Sequence, residues 1–434
     1  MKKLLVIAII AFMFLGFMPN QGAAVGKEPQ LQVKLVNYLA NKTSIPLKVT
    51  GTYYLNGTTY RLNPAKTYTL KVVTQKDKYG RIKPYISLYD GSTRLSIRDN
   101  ITIKSSNRKD TAKLNNHSYL GNFTFTVDNG RYVSVTNAIL LEDYVKCVVP
   151  AEMYPSWNRE ALKAQAVAAR TYAYNRLNKV INDTTTYQYY VGTARLYTNT
   201  TAATQETAGQ ILTYNGKVID TLFYASDGGM TESNYNEFGS PPLPYYPIQR
   251  DTYDTKIRWS PVIHKQQINT TRLDLRNPGN WWDRTFEADQ TVTKNIKVWL
   301  SQNGYRNKQI KIVAIPKLAF YDKTKSGRVI RGDIQLQFYV KDKKDSTGKL
   351  QLQTISYSRV IADKVRNILG RNVIPSTLIS KMTQTSSAYT ITGSGSGHGV
   401  GMSQHGANNR ANAGFKYKNI MAFYYPRTVV SKVY

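Results

Sequence analysis

The sequence predicts an α+β protein, with a β-rich N-terminal region over 25–115 followed by a mixed α/β part over 116–434 that carries one long alanine-rich helix. Three observations predict it. Short runs of alternating apolar and polar residues fill 30–104, the period of a half-buried strand. Apolar residues at spacings of three and four run through 157–178, the period of a helix. Near the C-terminus, Gly395-Ser396-Gly397-His398-Gly399-Val400-Gly401-Met402-Ser403-Gln404-His405-Gly406 gathers five glycines around two of the four histidines. That stretch has nothing to build a core with and reads as a structured loop walling a polar site.

The chain opens with Met1-Lys2-Lys3, an apolar run over 4–18 and Gly22-Ala23-Ala24, the basic, apolar and small-residue regions of a secretory signal peptide. The apolar run, about 15 residues, is short of the ~20 that span a bilayer, which favours cleavage after Ala24 and export to the wall or the medium. Retention of 1–24 as a membrane anchor is the alternative. One cysteine, Cys147, excludes an internal disulfide framework. Lys and Arg outnumber Asp and Glu by 59 to 27, giving a net charge of +32, and charge of that sign along the whole chain attracts a polyanion. Export, and the lack of a helix-turn-helix, zinc-finger or RNA-binding signature, argue against nucleic acid. A bacterial wall offers anionic polymers instead.

In order, the runs Leu31-Gln32-Val33-Lys34-Leu35, Gly51-Thr52-Tyr53-Tyr54-Leu55 and Ile101-Thr102-Ile103 predict strands, separated by the turn pairs Asn56-Gly57, Tyr79-Gly80 and Asp90-Gly91. Phe123 to Val127 and Tyr132 to Val135 flank Asp128-Asn129-Gly130, the signature of a hairpin. The apolar run 145–149 reads as a strand leading into the helix, which Ser156 would cap and whose stripe is Leu162, Ala166, Ala169 and Ala173. Strands are expected at 210–214 and 218–224. An α/β insertion around 270–355 would hold a helix at 292–303, a strand at 333–341 and a charged hairpin tip at 341–345. Further helices are expected at 358–369, ending at Gly370, and at 407–425.

Glu152 is the residue of most chemical interest. It lies in Pro150-Ala151-Glu152-Met153-Tyr154-Pro155, and burial among such neighbours would raise its pKa and suit it to general acid work. A solvated loop glutamate, or a helix-start acid favoured by the dipole, is the equal alternative from these residues alone. A Cys147–His398 nucleophile and base is disfavoured, because Cys147 sits in an apolar run where a thiol is inert. Zinc at His398 and His405 lacks a third ligand at a recognised spacing. No metal or cofactor is expected.

The motifs together resemble the SpoIID/LytB family. Leu141-Glu142-Asp143-Tyr144-Val145, Glu152-Met153 and Ala161-Leu162-Lys163-Ala164-Gln165-Ala166-Val167-Ala168-Ala169-Arg170-Thr171-Tyr172 match its core motif. In the same order follow 209–217, Tyr224-Ala225-Ser226-Asp227-Gly228-Gly229-Met230-Thr231-Glu232, the loop over 397–407 and Tyr424-Tyr425-Pro426. Ordered agreement over 116–434 is far more specific than any one short pattern. The 30–104 region matches only as strand-rich sequence.

The resemblance implies a protein that works on the bacterial wall. One branch of the family comprises lytic transglycosylases that cleave peptidoglycan glycan strands stripped of stem peptides, and the other enhancers of wall amidases. It places the catalytic glutamate at Glu152 and implies that His398, Ser403 and Gln404 contact sugar hydroxyls or N-acetyl groups, with Ser226, Asp227 and Thr231 as a second polar wall. Such a transglycosylase needs one carboxyl group; a hydrolase would need a second, for which Glu142, Asp143, Asp227 and Glu232 are unranked candidates. Two positions depart from the family pattern: His405 stands where an aromatic residue is usual, and Arg427 where glycine often follows Tyr-Tyr-Pro. The expected partners are glycan strands, anionic wall polymers and, in the rival reading, a wall amidase whose activity the chain stimulates without cleaving glycan itself.

Overall fold

The computed structural model of the chain describes residues 27–254 and 257–434. The expected signal peptide at 1–24 lies outside them. Strict alternation of buried and outward residues, as in Ser44–Thr50 and Tyr132–Leu140, gives each strand one apolar face. Two six-stranded sheets result. One runs Val180–Asn182, Gln30–Lys34, Tyr132–Leu140, Asn122–Asp128, Asn100–Ser105, Tyr53–Leu55; the other Thr93–Arg98, Ile82–Asp90, Tyr68–Lys76, Ser44–Thr50, Thr111–Leu114, His117–Leu120. Their apolar faces pack together, Leu47, Leu70 and Leu88 from one and Phe123, Phe125 and Val135 from the other. The expected hairpin is present, with Asp128 opposite Tyr132 and Asn129 and Gly130 at the positive φ such a turn requires.

The 115/116 boundary falls inside the second sheet, between the antiparallel neighbours Thr111–Leu114 and His117–Leu120. One hydrophobic core continues from Leu31 through the helices to Tyr425. The N-terminal strands and the family's core motif are therefore packed as one body.

The apolar run 145–149 is helix rather than strand. It belongs to Leu141–Glu152, which follows the Tyr132–Leu140 strand without a loop. Residues 141–145 and 147–150 are all buried, so the segment shows no polar stripe, and burial on all sides makes a helix look like a core strand in sequence. The alanine-rich helix is Arg159–Tyr174, capped by Asn158, whose side chain accepts the Glu160 N–H at 3.0 Å, rather than by Ser156. Its stripe of Leu162, Ala166, Ala169 and Ala173 is fully buried. Arg170, on the same helix, is also fully buried. It grips Glu142 through Nε at 2.7 Å and Nη2 at 2.8 Å, while Tyr434 Oη and the Gly209 N–H donate to the same carboxylate at 2.6 and 3.0 Å. Burial alone would raise the Glu142 pKa, but the guanidinium overrides it and holds the carboxyl below its ordinary value.

The second apolar core spans Ile263 to Ile391, wider than the expected 270–355 insertion. It joins the sheet of Ile310–Lys323, Val329–Val340 and Gln353–Ile361 to helices Gln290–Gln302 and Ala362–Leu369. The helix expected over 358–369 begins only at Ala362 because the preceding residues complete that sheet. A tight turn carries Thr324 and Ser326 onto the first body, where both hydroxyls donate to Glu232 Oε2 at 2.7 and 2.6 Å. The 407–425 segment forms two helices, Gln404–Asn412 and Tyr417–Tyr424, broken at Gly414 with φ +93°. No helix among the described residues is long and apolar enough to cross a membrane.

Candidate active site

Glu152 is the last residue of the Leu141–Glu152 helix. Its carboxylate therefore sits at the negative end of the helix dipole, the reverse of the favourable helix-start position. Burial pushes its pKa above the ordinary value; the Tyr189 N–H, which donates to Oε1 at 2.9 Å, and the Gln404 side chain pull the other way without cancelling it. The group is thus biased to hold a proton.

It opens into a cleft of about 530 Å³. Tyr154, Trp157 and Tyr197 line it with aromatic surface, and Arg195, Gln404 and His405 supply polar groups. Among the described residues Glu152 is the one carboxylate on its wall. Tyr154 is 66% exposed and Tyr197 48%, an arrangement that suits the apolar faces of sugar rings. His405 meets Trp157 edge to face at 4.9 Å, so the departure from the usual aromatic residue keeps ring packing at this position.

Of the residues the sequence singled out, the cleft gathers Glu152, Gln404 and His405. The others lie off its wall, each for a visible reason. Ser403 is fully buried: its hydroxyl accepts the Gly406 N–H at 3.0 Å as cap of the Gln404–Asn412 helix and donates to Asp254 at 2.6 Å. Ser226 Oγ donates to Asp254 Oδ1 at 2.7 Å, and Thr231 Oγ1 to the Pro247 carbonyl at 2.8 Å. Asp227 is fully buried, accepts the Gly229 N–H at 2.7 Å, and is pushed up to about 9 by burial and by its neighbours Asp254 and Asp251. These side chains turn inward and hold the loops that frame the cleft, with Asp227 Oδ2 left without a hydrogen-bond partner among the described residues. Asp227, Asp251 and Asp254 could together offer ligand atoms to a cation, but Ser226, Ser403, Arg410 and Tyr424 already donate to Asp254 and Asp251, which makes the group a hydrogen-bond hub.

His398 faces a different, smaller cavity of about 240 Å³, beside Phe238 and Thr221. Its Nδ1 accepts the Val400 N–H at 3.1 Å, and its ring packs on Tyr224 and Phe238 at 5.0 and 5.6 Å. Burial, reinforced by Arg328, Arg366 and Arg371, pushes it down to about 3, so it is neutral at physiological pH. The loop is held in this path at Gly401, with φ +86° and the Leu222 carbonyl oxygen 2.1 Å from where a Cβ would stand. We expect His398→Ala to cost about 1–3 kcal/mol of stability while turnover per folded molecule is unchanged; thermal melts and rates on one preparation check it.

Cys147 is buried in the same helix as Glu152, and burial pushes its thiol up to about 12, so it is no nucleophile. Arg195, Tyr197 and Ala225 were not singled out in the sequence. Arg195 and Tyr197 come from a segment that carries no motif, Ala225 stands within the 224–232 motif without a polar side chain to mark it, and only folding brings them to Glu152.

The family model described as Stage II sporulation protein matches residues 129–214, the segment that holds Glu152, the buried Glu142–Arg170 pair and the alanine-rich helix. An uncharacterized protein of Brachyspira hyodysenteriae is 32% identical over 326 residues, 73% of each chain. The chain belongs to the SpoIID family. It is also 36% identical to the amidase enhancer of Bacillus subtilis (strain 168) over 367 residues, 84% of this chain but half the length of that relative. With stage II sporulation protein D of the same organism it shares 27% identity over 320 residues, 69% of this chain and 76% of the relative.

Proposed function

We propose that this SpoIID family member works on the bacterial wall as a lytic transglycosylase, cleaving peptide-stripped glycan strands with Glu152 as the single acid–base group. The observation that carries the reading is the lone carboxylate in an aromatic-lined cleft, biased toward its protonated form. A hydrolase would need a second carboxyl group across the cleft, either to activate water or to attack the sugar. A lytic transglycosylase does not. Glu152 gives its proton to the glycosidic oxygen as that bond to the anomeric carbon breaks. As carboxylate it then takes the proton of the muramic acid 6-hydroxyl while that oxygen bonds to the same carbon, so the products are a free hydroxyl end and a 1,6-anhydro end, and Glu152 is protonated again. Arg195, the single cation on the wall among the described residues, suits the lactyl carboxylate that removal of a stem peptide exposes.

The pH dependence follows from the sign of the shift. Glu152 has a raised pKa, so the active acid form is complete at low pH and is lost as pH rises through the raised value. We expect the rate of anhydro-end formation to fall on the alkaline side with an apparent pKa above the ordinary 4.5; a midpoint at or below that value would count against burial as the tuning force.

The second reading, an enhancer of a wall amidase, is favoured by the 36% identity to a relative of that name. In that case the cleft would bind glycan without breaking it, and amidase stimulation would survive loss of the Glu152 carboxyl.

A further inference from the structure

A second cleft is somewhat larger than the one at Glu152. This cleft, of about 600 Å³, lies between the two bodies, walled on one side by Gly228, Gly229 and Met230 and on the other by the turn holding Lys323, Ser326 and Gly327. Arg250 and Arg258 add to its charged lining, and no carboxylate among the described residues lines it. Arg250, Arg258 and Lys323 are all exposed, and none of the three pairs with a carboxylate among the described residues. Other exposed cations of this strongly basic chain, Lys48, Lys104 and Lys113 among them, are likewise without a carboxylate partner among the described residues, but Arg250, Arg258 and Lys323 line one cleft together. Three like charges converging on one concave surface repel one another and focus a positive field where an anion would sit.

We propose that this cleft binds an anionic polyol-phosphate polymer of the wall, separately from the glycan at Glu152. Neutral sugar needs no convergent cations. Stem peptides carry ammonium groups beside their carboxylates, and a site for them would need an acidic side chain that this lining lacks. A phosphodiester chain presents negative charge alone, in repeats, to side chains whose guanidinium forks match phosphate oxygens. The hydroxyls of Ser380 and Thr392, which also line the cleft, can accept from polyol hydroxyls. The two sites share one strap of chain. Ala225 lines the Glu152 cleft and Gly228 the basic one, and three residues span at most about 11 Å, so a phosphate polymer held here would lie close beside a glycan strand. The proposal rests on the wall as the place of action but not on the chemistry of Glu152.

The test titrates the full chain with soluble polyglycerol phosphate oligomers lacking amino-acyl groups. We expect Arg250→Gln/Arg258→Gln/Lys323→Gln to weaken binding about tenfold or more and to flatten the dependence of log affinity on log salt by about 2. The control Lys48→Gln/Lys104→Gln/Lys113→Gln, which removes three exposed cations from the N-terminal sheets, should stay within about twofold of the parent. Equal loss in both variants would assign binding to diffuse charge and overturn the proposal, as would no binding by the parent chain, or displacement of the polymer by peptide-bearing wall fragments at equal concentration. Cleavage of isolated glycan should be unchanged in the cleft variant. Polymer binding without glycan cleavage by the parent chain would sink the transglycosylase reading and leave this site standing.

Discussion

Glu152→Gln is expected to lower glycan cleavage by about 10²–10⁴-fold, the usual cost of losing a general acid–base group, while leaving the fold intact. The amide keeps the size of the acid and can still accept the Tyr189 N–H that Glu152 Oε1 accepts at 2.9 Å. It has no proton to give. Because burial disfavours the Glu152 carboxylate, the neutral amide also escapes a desolvation cost, so at neutral pH the variant should melt no lower than its parent. A merely structural glutamate would behave in the reverse way, with stability lost and turnover per folded molecule kept. Melting curves and anhydro-end counts on the same sample separate the two.

Arg170→Met should be the most damaging single change to the fold, costing about 3–5 kcal/mol, as expected when one partner of a buried ion pair is removed. Arg170 is fully buried and donates to Glu142 Oε1 and Oε2 and to the carbonyls of Thr204 and Gln210. Without it Glu142 is a buried charge with only Tyr434 and the Gly209 N–H for company. The sign with pH follows. In the parent, Glu142 has a depressed pKa, so its contribution is complete above the ordinary 4.5 and fades as pH falls below it. In the variant the orphaned carboxyl instead protonates readily, so the deficit should shrink as pH is lowered through the carboxylate range. Arg170→Met/Glu142→Gln should recover part of the loss at neutral pH. Denaturant titrations across pH check both, and a deficit that is constant with pH would assign the loss to packing rather than to charge.

What the sequence disclosed and what it hid divide along physical lines. The alanine-rich helix was legible because one side packs: Leu162, Ala166, Ala169 and Ala173 are buried at spacings of three and four. The Asn122–Asp128 and Tyr132–Leu140 hairpin was legible because Asn129 and Gly130 meet a turn that few other residues accept. The Leu141–Glu152 helix was read as part strand because Val145, Val148 and Val149 are β-branched and the segment is buried on all sides. Glu152 stood out through its ordered motifs, and the structure adds the cleft and the helix C-terminus to its setting. His398, Ser226, Asp227, Ser403 and Thr231 were grouped with it because glycine-rich, polar segments read as surface. Turned inward by the positive φ of Gly397, Gly399 and Gly401, or by the pull of Asp254, such side chains support a site from behind it. That distinction depends on direction, which neither composition nor spacing encodes.

Incubating the chain with purified glycan strands free of stem peptides and counting 1,6-anhydro-muramyl ends by mass spectrometry tests the account most directly. It predicts that such ends accumulate with time and enzyme concentration, with no reducing muramyl ends formed alongside them. Reducing ends would mean that water attacks and a second acid lies elsewhere; intact strands, with a wall amidase stimulated in the same preparation, would contradict the catalytic reading and establish the enhancer in its place.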